Sequence, residues 1–205
     1  MGAVTNETRK SLHGLAELVL AGPQHRRSGT IRLRVTPGGF ATVAAPDLAV
    51  QADALVVAGD QRFPLAGRTF AQLAADAGVD VGVPEGVYHD HSGAGPDDTV
   101  VIQDAATILA ALAIGDAALR RLSADAVPVL WPEHFDVGIS VDEVNYGVSA
   151  GDAAIDEPYA YVGPWRPRQG SFWNVPFGAA VPVRDLGDVK GVFAFFDEGR
   201  ARAAE

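Results

Sequence analysis

The stretch Phe135-Asp136-Val137-Gly138-Ile139-Ser140-Val141-Asp142 alternates strictly between apolar and polar or small residues. In an extended chain Phe135, Val137, Ile139 and Val141 fall on one side and Asp136, Gly138, Ser140 and Asp142 on the other, the period-two signature of a half-buried strand. Working outward, Val144 to Ser149, Tyr159 to Gly163 and Phe177 to Val183 read as its partners. Further upstream, Thr30 to Val35 alternates in the same way, Thr36-Pro37-Gly38-Gly39 turns the chain and Phe40 to Val43 returns as the second arm of a hairpin. One more strand is expected within Leu48 to Val57 and a short one at Arg62 to Leu65.

Helical spacing marks four segments. Residues 6–21 carry the stripe Leu12, Leu15 and Val19, with Asn6 or Thr5 as cap and Gly22-Pro23 as stop. Thr69 and Gln72 have capping-box spacing before Phe70, Leu73, Ala74 and Ala77. Residues 105–123, capped by Asp104, show Ile108, Leu112, Gly115, Leu119 and Leu122 on one face, with small residues that allow close approach to a sheet. A C-terminal helix, capped by Asp185, is expected to bury Leu186, Val189, Phe193 and Phe196. Strands come in consecutive runs rather than in alternation with helices. This predicts an α+β fold: a curved antiparallel β-sheet with about four helices packed on it, in a single domain over 1–205, its strand–helix order at 30–78 loosely echoed at 134–198.

The 205 residues are 48% hydrophobic and 20% charged, enough apolar material for a sizeable core. A net charge of −10 repels phosphate backbones and anionic lipid, so neither nucleic acid nor a membrane surface is an expected partner. Arg26, Arg27, Arg32 and Arg34 form a local exception, read as a solvated strand face. No cysteine is present, which removes disulfides, thiol catalysis and thiolate metal sites. The apolar run Leu12 to Ala21 is interrupted by His13 and Glu17. It reads neither as a signal peptide nor as a membrane span, so the expected location is the cytoplasm.

Three constellations could carry chemistry. Gly147-Val148-Ser149-Ala150-Gly151 has the nucleophile-elbow pattern, but the last histidine, His134, precedes the serine and a loop-like segment follows it. The α/β-hydrolase chain order is therefore impossible. His89-Asp90-His91 places two imidazoles on one side of an extended segment, and Glu133-His134-Phe135-Asp136 offers more ligands. With Phe135 in the core, His134 and Asp136 would share the opposite face, and His89, His91, His134 and Asp136 could hold a divalent metal with Glu133 as base. The plainer reading leaves His89 and His91 in a solvated Gly/Pro/Asp loop. The third constellation is aromatic: Tyr159, Tyr161 and Trp165 on one side of an extended segment, with Trp173 and Asn174 soon after, residues suited equally to a pocket, an interface or a core edge. No P-loop, dinucleotide fingerprint or other nucleotide or nicotinamide motif is present.

Four strings, Leu130-Trp131-Pro132-Glu133-His134-Phe135-Asp136, Tyr146-Gly147-x-Ser149-x-Gly151-Asp152, Glu157-Pro158-Tyr159-x-Tyr161-Val162-Gly163-Pro164-Trp165 and Phe172-Trp173-Asn174-x-Pro176-Phe177-Gly178-Ala179, resemble a family of high-GC bacterial proteins to which no activity is attached. The resemblance covers mainly the second half and implies only that this region is a unit. It does not include His89 and His91. The expected function is small-molecule binding, in a pocket lined by Trp131, His134, Tyr159, Tyr161, Trp165, Trp173 and Asn174 with Glu133 and Asp136 as polar anchors. The alternatives are a metal-dependent hydrolase using His134, Asp136, His89 and His91, and a homodimer closing on the aromatic rim.

Overall fold

A computed structural model describes residues 2–89 and 91–205, with side chains from residue 6 onward. The elements run α1 (Gly2–Gly14), a π-helical segment (Leu15–Ala21), α2 (Gly22–Ser28), β1 (Leu33–Thr36), β2 (Gly39–Thr42), β3 (Leu48–Gln51), β4 (Ala54–Val57), β5 (Gln61–Pro64), α3 (Phe70–Asp76) and α4 (Ala105–Leu122). Then follow β6 (Val129–Trp131), β7 (Asp136–Val141), β8 (Val144–Ser149), β9 (Tyr159–Pro164), β10 (Ala179–Pro182), α5 (Val183–Leu186) and α6 (Val189–Ala203). The fold is α+β, with every strand pair inside each unit antiparallel. The chain divides into two compact units, one of Met1–Leu109 with Leu130–Phe135 and the other of Ala110–Val129 with Asp136–Glu205. No helix among the described residues is long and apolar enough to cross a membrane.

In the first unit the strands follow the order β6-β1-β2-β3-β4-β5. The hairpin β1–β2 pairs Leu33 with Thr42 and Val35 with Phe40, as the alternation predicts. Where one strand was expected in 48–57 there are two, because Ala52 takes φ +54° and turns the chain after only four residues. The predicted stop at Gly22-Pro23 is also corrected: the helix runs on to Ser28. The Gly22 N–H bonds back to Glu17 O, five residues earlier, the π pattern. That wider turn displaces the carbonyls an α-helix would drive into the Pro23 ring, so Pro23 serves as a first-turn residue of α2. Gly82 N donates to Leu18 O at 3.0 Å, and a Cβ on Gly22 would overlap the Gly82 carbonyl, so only glycine lets the chain at Gly82 lie on the helix here.

Gln24, fully buried, ties this helix to the hairpin. Its Nε2 donates to Thr30 O at 3.0 Å and Arg32 O at 2.9 Å, and its Oε1 accepts from Val43 N at 2.7 Å and Ala44 N at 2.9 Å. All four capacities of one amide are used, which makes burial of the group tolerable. Arg26 and Arg27 lie on α2 rather than on a strand, and Arg26 donates to the carbonyls of Asp80 and Gly82. The capping box at Thr69 forms as its spacing predicts.

In the second unit the order is β10-β9-β8-β7. Its register sets Val137 opposite Val148 and Val148 opposite Ala160, one apolar face. Helices cover that face: a Cβ on Gly115 of α4 would sit 2.7 Å from Val148 Cβ, and one on Gly199 of α6 would sit 2.7 Å from Val162 Cγ2. The small residues on α4 thus do what their pattern predicts. The C-terminal helix differs from expectation. Asp188, not Asp185, caps it, accepting from Lys190 N at 2.9 Å and Gly191 N at 3.0 Å, because the one-turn α5 and Gly187 intervene. The buried stripe is accordingly Val192, Phe195, Phe196, Gly199 and Ala203, while Phe193 receives the Arg121 guanidinium 4.3 Å from its ring centre.

Candidate functional site

The first unit holds a cluster of ionisable groups around Glu17. This glutamate lies in the π-helical segment among buried Leu15, Leu18, Val19 and Leu20, and is itself 1% exposed. An ionised carboxylate cannot be buried there without partners. Oε2 accepts from the Ser92 N–H at 2.8 Å, and Oε1 accepts from Nδ1–H of His91 at 3.2 Å. One helical turn before Glu17, His13 has its Nε2 3.7 Å from the same Oε1 and donates it to Pro132 O at 2.6 Å. His13 is held mainly by burial below the ordinary imidazole range; Glu17 and Pro132 O pull the other way, and His134 and His91 add to the lowering. Tyr88 completes the inner group. It is 6% exposed, its hydroxyl makes no hydrogen bond of ordinary geometry among the described residues, and burial, with the Glu17 carboxylate beside it, raises it far above the usual phenol range.

The outer part of the cluster is open to solvent. The His91 ring is 36% exposed and packs 5.2 Å from the Tyr88 ring. His134 and Glu133 approach each other at 3.9 Å, with 59% and 34% of their side chains exposed. Glu133 is near enough to add to the raising of Tyr88, and His134 to the lowering of His13. Trp131, half-buried, faces the Arg32 guanidinium at 5.8 Å. Of the proposed metal ligands, His89 is exposed; Asp90, which separates it from His91 in the sequence, lies outside the described residues. Among the described residues no three His, Asp or Glu side chains are grouped so as to hold a metal ion.

The expectation that His134 and Asp136 share a strand face is corrected at Phe135. That residue takes φ +50° and is buried, so the alternation breaks there and the strand begins only at Asp136. His134 is left exposed in the turn, and Asp136 is 7% exposed.

In the second unit the sheet face away from the helices carries Asp136, Ser149 and Tyr159 in one row and Gly138, Gly147 and Tyr161 in the next. Tyr161 donates to Asp136, and Tyr159 donates to Asp152 at 2.6 Å. Burial raises both tyrosines, reinforced by Asp136 at Tyr161 and by Asp152 at Tyr159, with a hydrogen bond to Ser149 opposing at Tyr159. Gly138 and Gly147 are bare because the Tyr161 ring and hydroxyl occupy the space a Cβ would need. This explains the first glycine of the elbow-like motif. Ser149 is 5% exposed, its Oγ accepts from Gly151 N at 3.1 Å, and the unit contains no histidine, so no catalytic triad is assembled within it.

The remaining predicted pocket residues of this unit separate. Trp165, 63% exposed, donates to Asn145 Oδ1 at 3.1 Å beyond the end of β9. Trp173 packs edge-on against Phe172 at 4.9 Å, and Asn174 spends its amide on Ala180 N and O, both at 2.9 Å. Sequence reasoning found His91, Glu133 and His134 but missed His13, Glu17 and Tyr88. The available signal was the interruption of the apolar run at 12–21 by two ionisable residues at i and i+4, on one helix face and otherwise among Leu, Val, Ala and Gly14. Compared with protein-family models, curated proteins and solved structures, the chain matches none.

Proposed function

We propose that the protein binds a small polar molecule at the Glu17–His91 cluster. The observation that carries this reading is the contrast across one hydrogen bond. Glu17 is 1% exposed and fixes Nδ1 of His91, while the His91 side chain is 36% exposed, which leaves Nε2 as the nitrogen to meet a ligand. Glu133 and His134 supply further polar groups at the edge, and the buried Tyr88 hydroxyl, beside Glu17, is a further donor.

The test is recovery of small molecules, by mass spectrometry, from protein purified without an affinity tag and then denatured. A fragment screen, followed on the histidine side-chain nitrogens by NMR, accompanies it. A compound present in wild type and missing from folded His91→Gln, or fragments that shift the His91 nitrogens, supports the reading. Equal recovery from both proteins, or an unmoved His91 throughout the screen, overturns it.

A further inference from the structure

We infer that Glu17 and His91 form a carboxylate–imidazole dyad that catalyses hydrolysis of an uncharged carboxylic ester, with His91 Nε2 as general base. The inference rests on the site proposed above and adds a reaction to it. Glu17 accepts from Nδ1–H of His91 at 3.2 Å, so in the neutral imidazole the unprotonated nitrogen is Nε2. The Ser92 N–H, on the residue after His91, holds the other carboxylate oxygen at 2.8 Å, which fixes the dyad from both ends. A neutral imidazole whose far nitrogen is anchored by a buried carboxylate is a base ready to deprotonate water.

Three further observations mark the place as more than a satisfied ion pair. The carboxylate sits in a π-helical segment, a rare helix form that is frequent at functional sites. Phe135, stacked on His13, is held at φ +50°, a conformation that bulky residues adopt only where the surroundings impose it. Tyr88, nine-tenths buried, lies 5.2 Å from the His91 ring and beside the Glu17 carboxylate, and burial keeps its hydroxyl protonated, a donor within the cluster. The choice of an uncharged ester follows from charge. A chain of net −10, with Glu17 and Glu133 at the site, disfavours phosphate esters and other anions.

His91 Nε2 takes a proton from water as the water oxygen bonds to the ester carbonyl carbon. The tetrahedral intermediate collapses by breaking the bond to the leaving oxygen, which departs as the alkoxide or phenoxide and takes the proton from the imidazolium where it needs one. Acid and alcohol are released; where the leaving phenoxide stays ionised, the imidazolium gives its proton to solvent water, and in either case His91 is neutral again. Glu17 is a positioning residue that stabilises the imidazolium.

The experiment uses the full chain and 4-nitrophenyl acetate. Wild type is expected to turn over with a normal solvent deuterium isotope effect on kcat, and His91→Gln to fall to the buffer rate. His25→Gln, on α2, is expected to match wild type. Glu17→Gln is expected to lose kcat by about tenfold or more with KM unchanged. His91 is part-exposed, so His91→Gln still decides the matter if Glu17→Gln fails to fold. Equal rates for wild type and folded His91→Gln overturn the proposal, as does turnover without an isotope effect. The amide 4-nitroacetanilide separates the two readings: if it shifts the His91 nitrogens while the ester is not hydrolysed, binding stands and catalysis falls.

Discussion

The ring of Phe135 lies flat on the ring of His13, with centroids 5.6 Å apart and planes within 10° of parallel, while Phe40 meets Phe135 edge-on at 5.5 Å. Phe135 does this from a φ of +50°, a backbone state that costs a bulky residue about 1–3 kcal/mol. The strain is offset by burial of an aromatic ring on two others. The result is that the turn carrying Glu133 and His134 is held against the helix carrying His13 and Glu17, because His13 also donates to Pro132 O.

His13 should make the protein acid-sensitive. Its folded pKa lies below the unfolded value of 6.5, mainly because burial penalises the charged ring. The unfolded state therefore binds the proton first as pH falls. The stability linked to His13 is complete above 6.5 and is lost as pH drops from there through the folded value. His13→Gln, which keeps a donor for Pro132 O, should flatten the fall of the urea midpoint between about pH 7 and pH 5 relative to wild type. An unchanged slope would mean that His13 carries no linkage.

All four tyrosines should resist ionisation in the folded protein. Burial is the first cause of the raising at Tyr88, Tyr146, Tyr159 and Tyr161, with Tyr146 pushed up to about 12. Raised folded values mean that the associated stability is present below the ordinary 10 and lost as pH rises above it. Absorbance at the tyrosinate band should stay flat as pH passes 10, then rise together with loss of near-ultraviolet circular dichroism. A stepwise rise in the still-folded protein would contradict the burial.

Gly147→Ala should destabilise by about 1–3 kcal/mol, because the added methyl would overlap the Tyr161 ring in an already filled space. Combining it with Tyr161→Leu should cost less than the sum of the two single changes, since both act on one contact. Additive denaturation midpoints would show that Gly147 serves something other than room for Tyr161.

Asp188→Ala should cost about 0.5–2 kcal/mol, as expected for loss of an N-cap. Asp185→Ala, within the one-turn α5 and facing only Arg184 at the surface, should leave the thermal midpoint nearly unchanged. The reverse order would restore the cap expected from spacing alone.

The α+β class, the hairpin at 33–42, the capping box at Thr69, the close approach of Gly115 and most of the strands β7 to β10 were legible in the sequence. Each depends on a local period or a short capping pattern, and such signals survive in one dimension. What was illegible turns on one backbone state or on distant partners. Phe135 reads as a strand residue until φ +50° breaks the alternation, and Gly22-Pro23 reads as a stop until the π turn makes room for the ring. The candidate site was half legible: His91, Glu133 and His134 stand out as isolated polar residues, whereas Glu17 looks like an accident in an apolar run. The amino-acid order by itself determines which segments extend, coil or turn, and it bars thiol chemistry. Only the tertiary structure decides that Ser92 and His91, more than seventy positions away, reach Glu17. A buried carboxylate takes its partners from whatever the packing brings to it, and no local pattern encodes that choice.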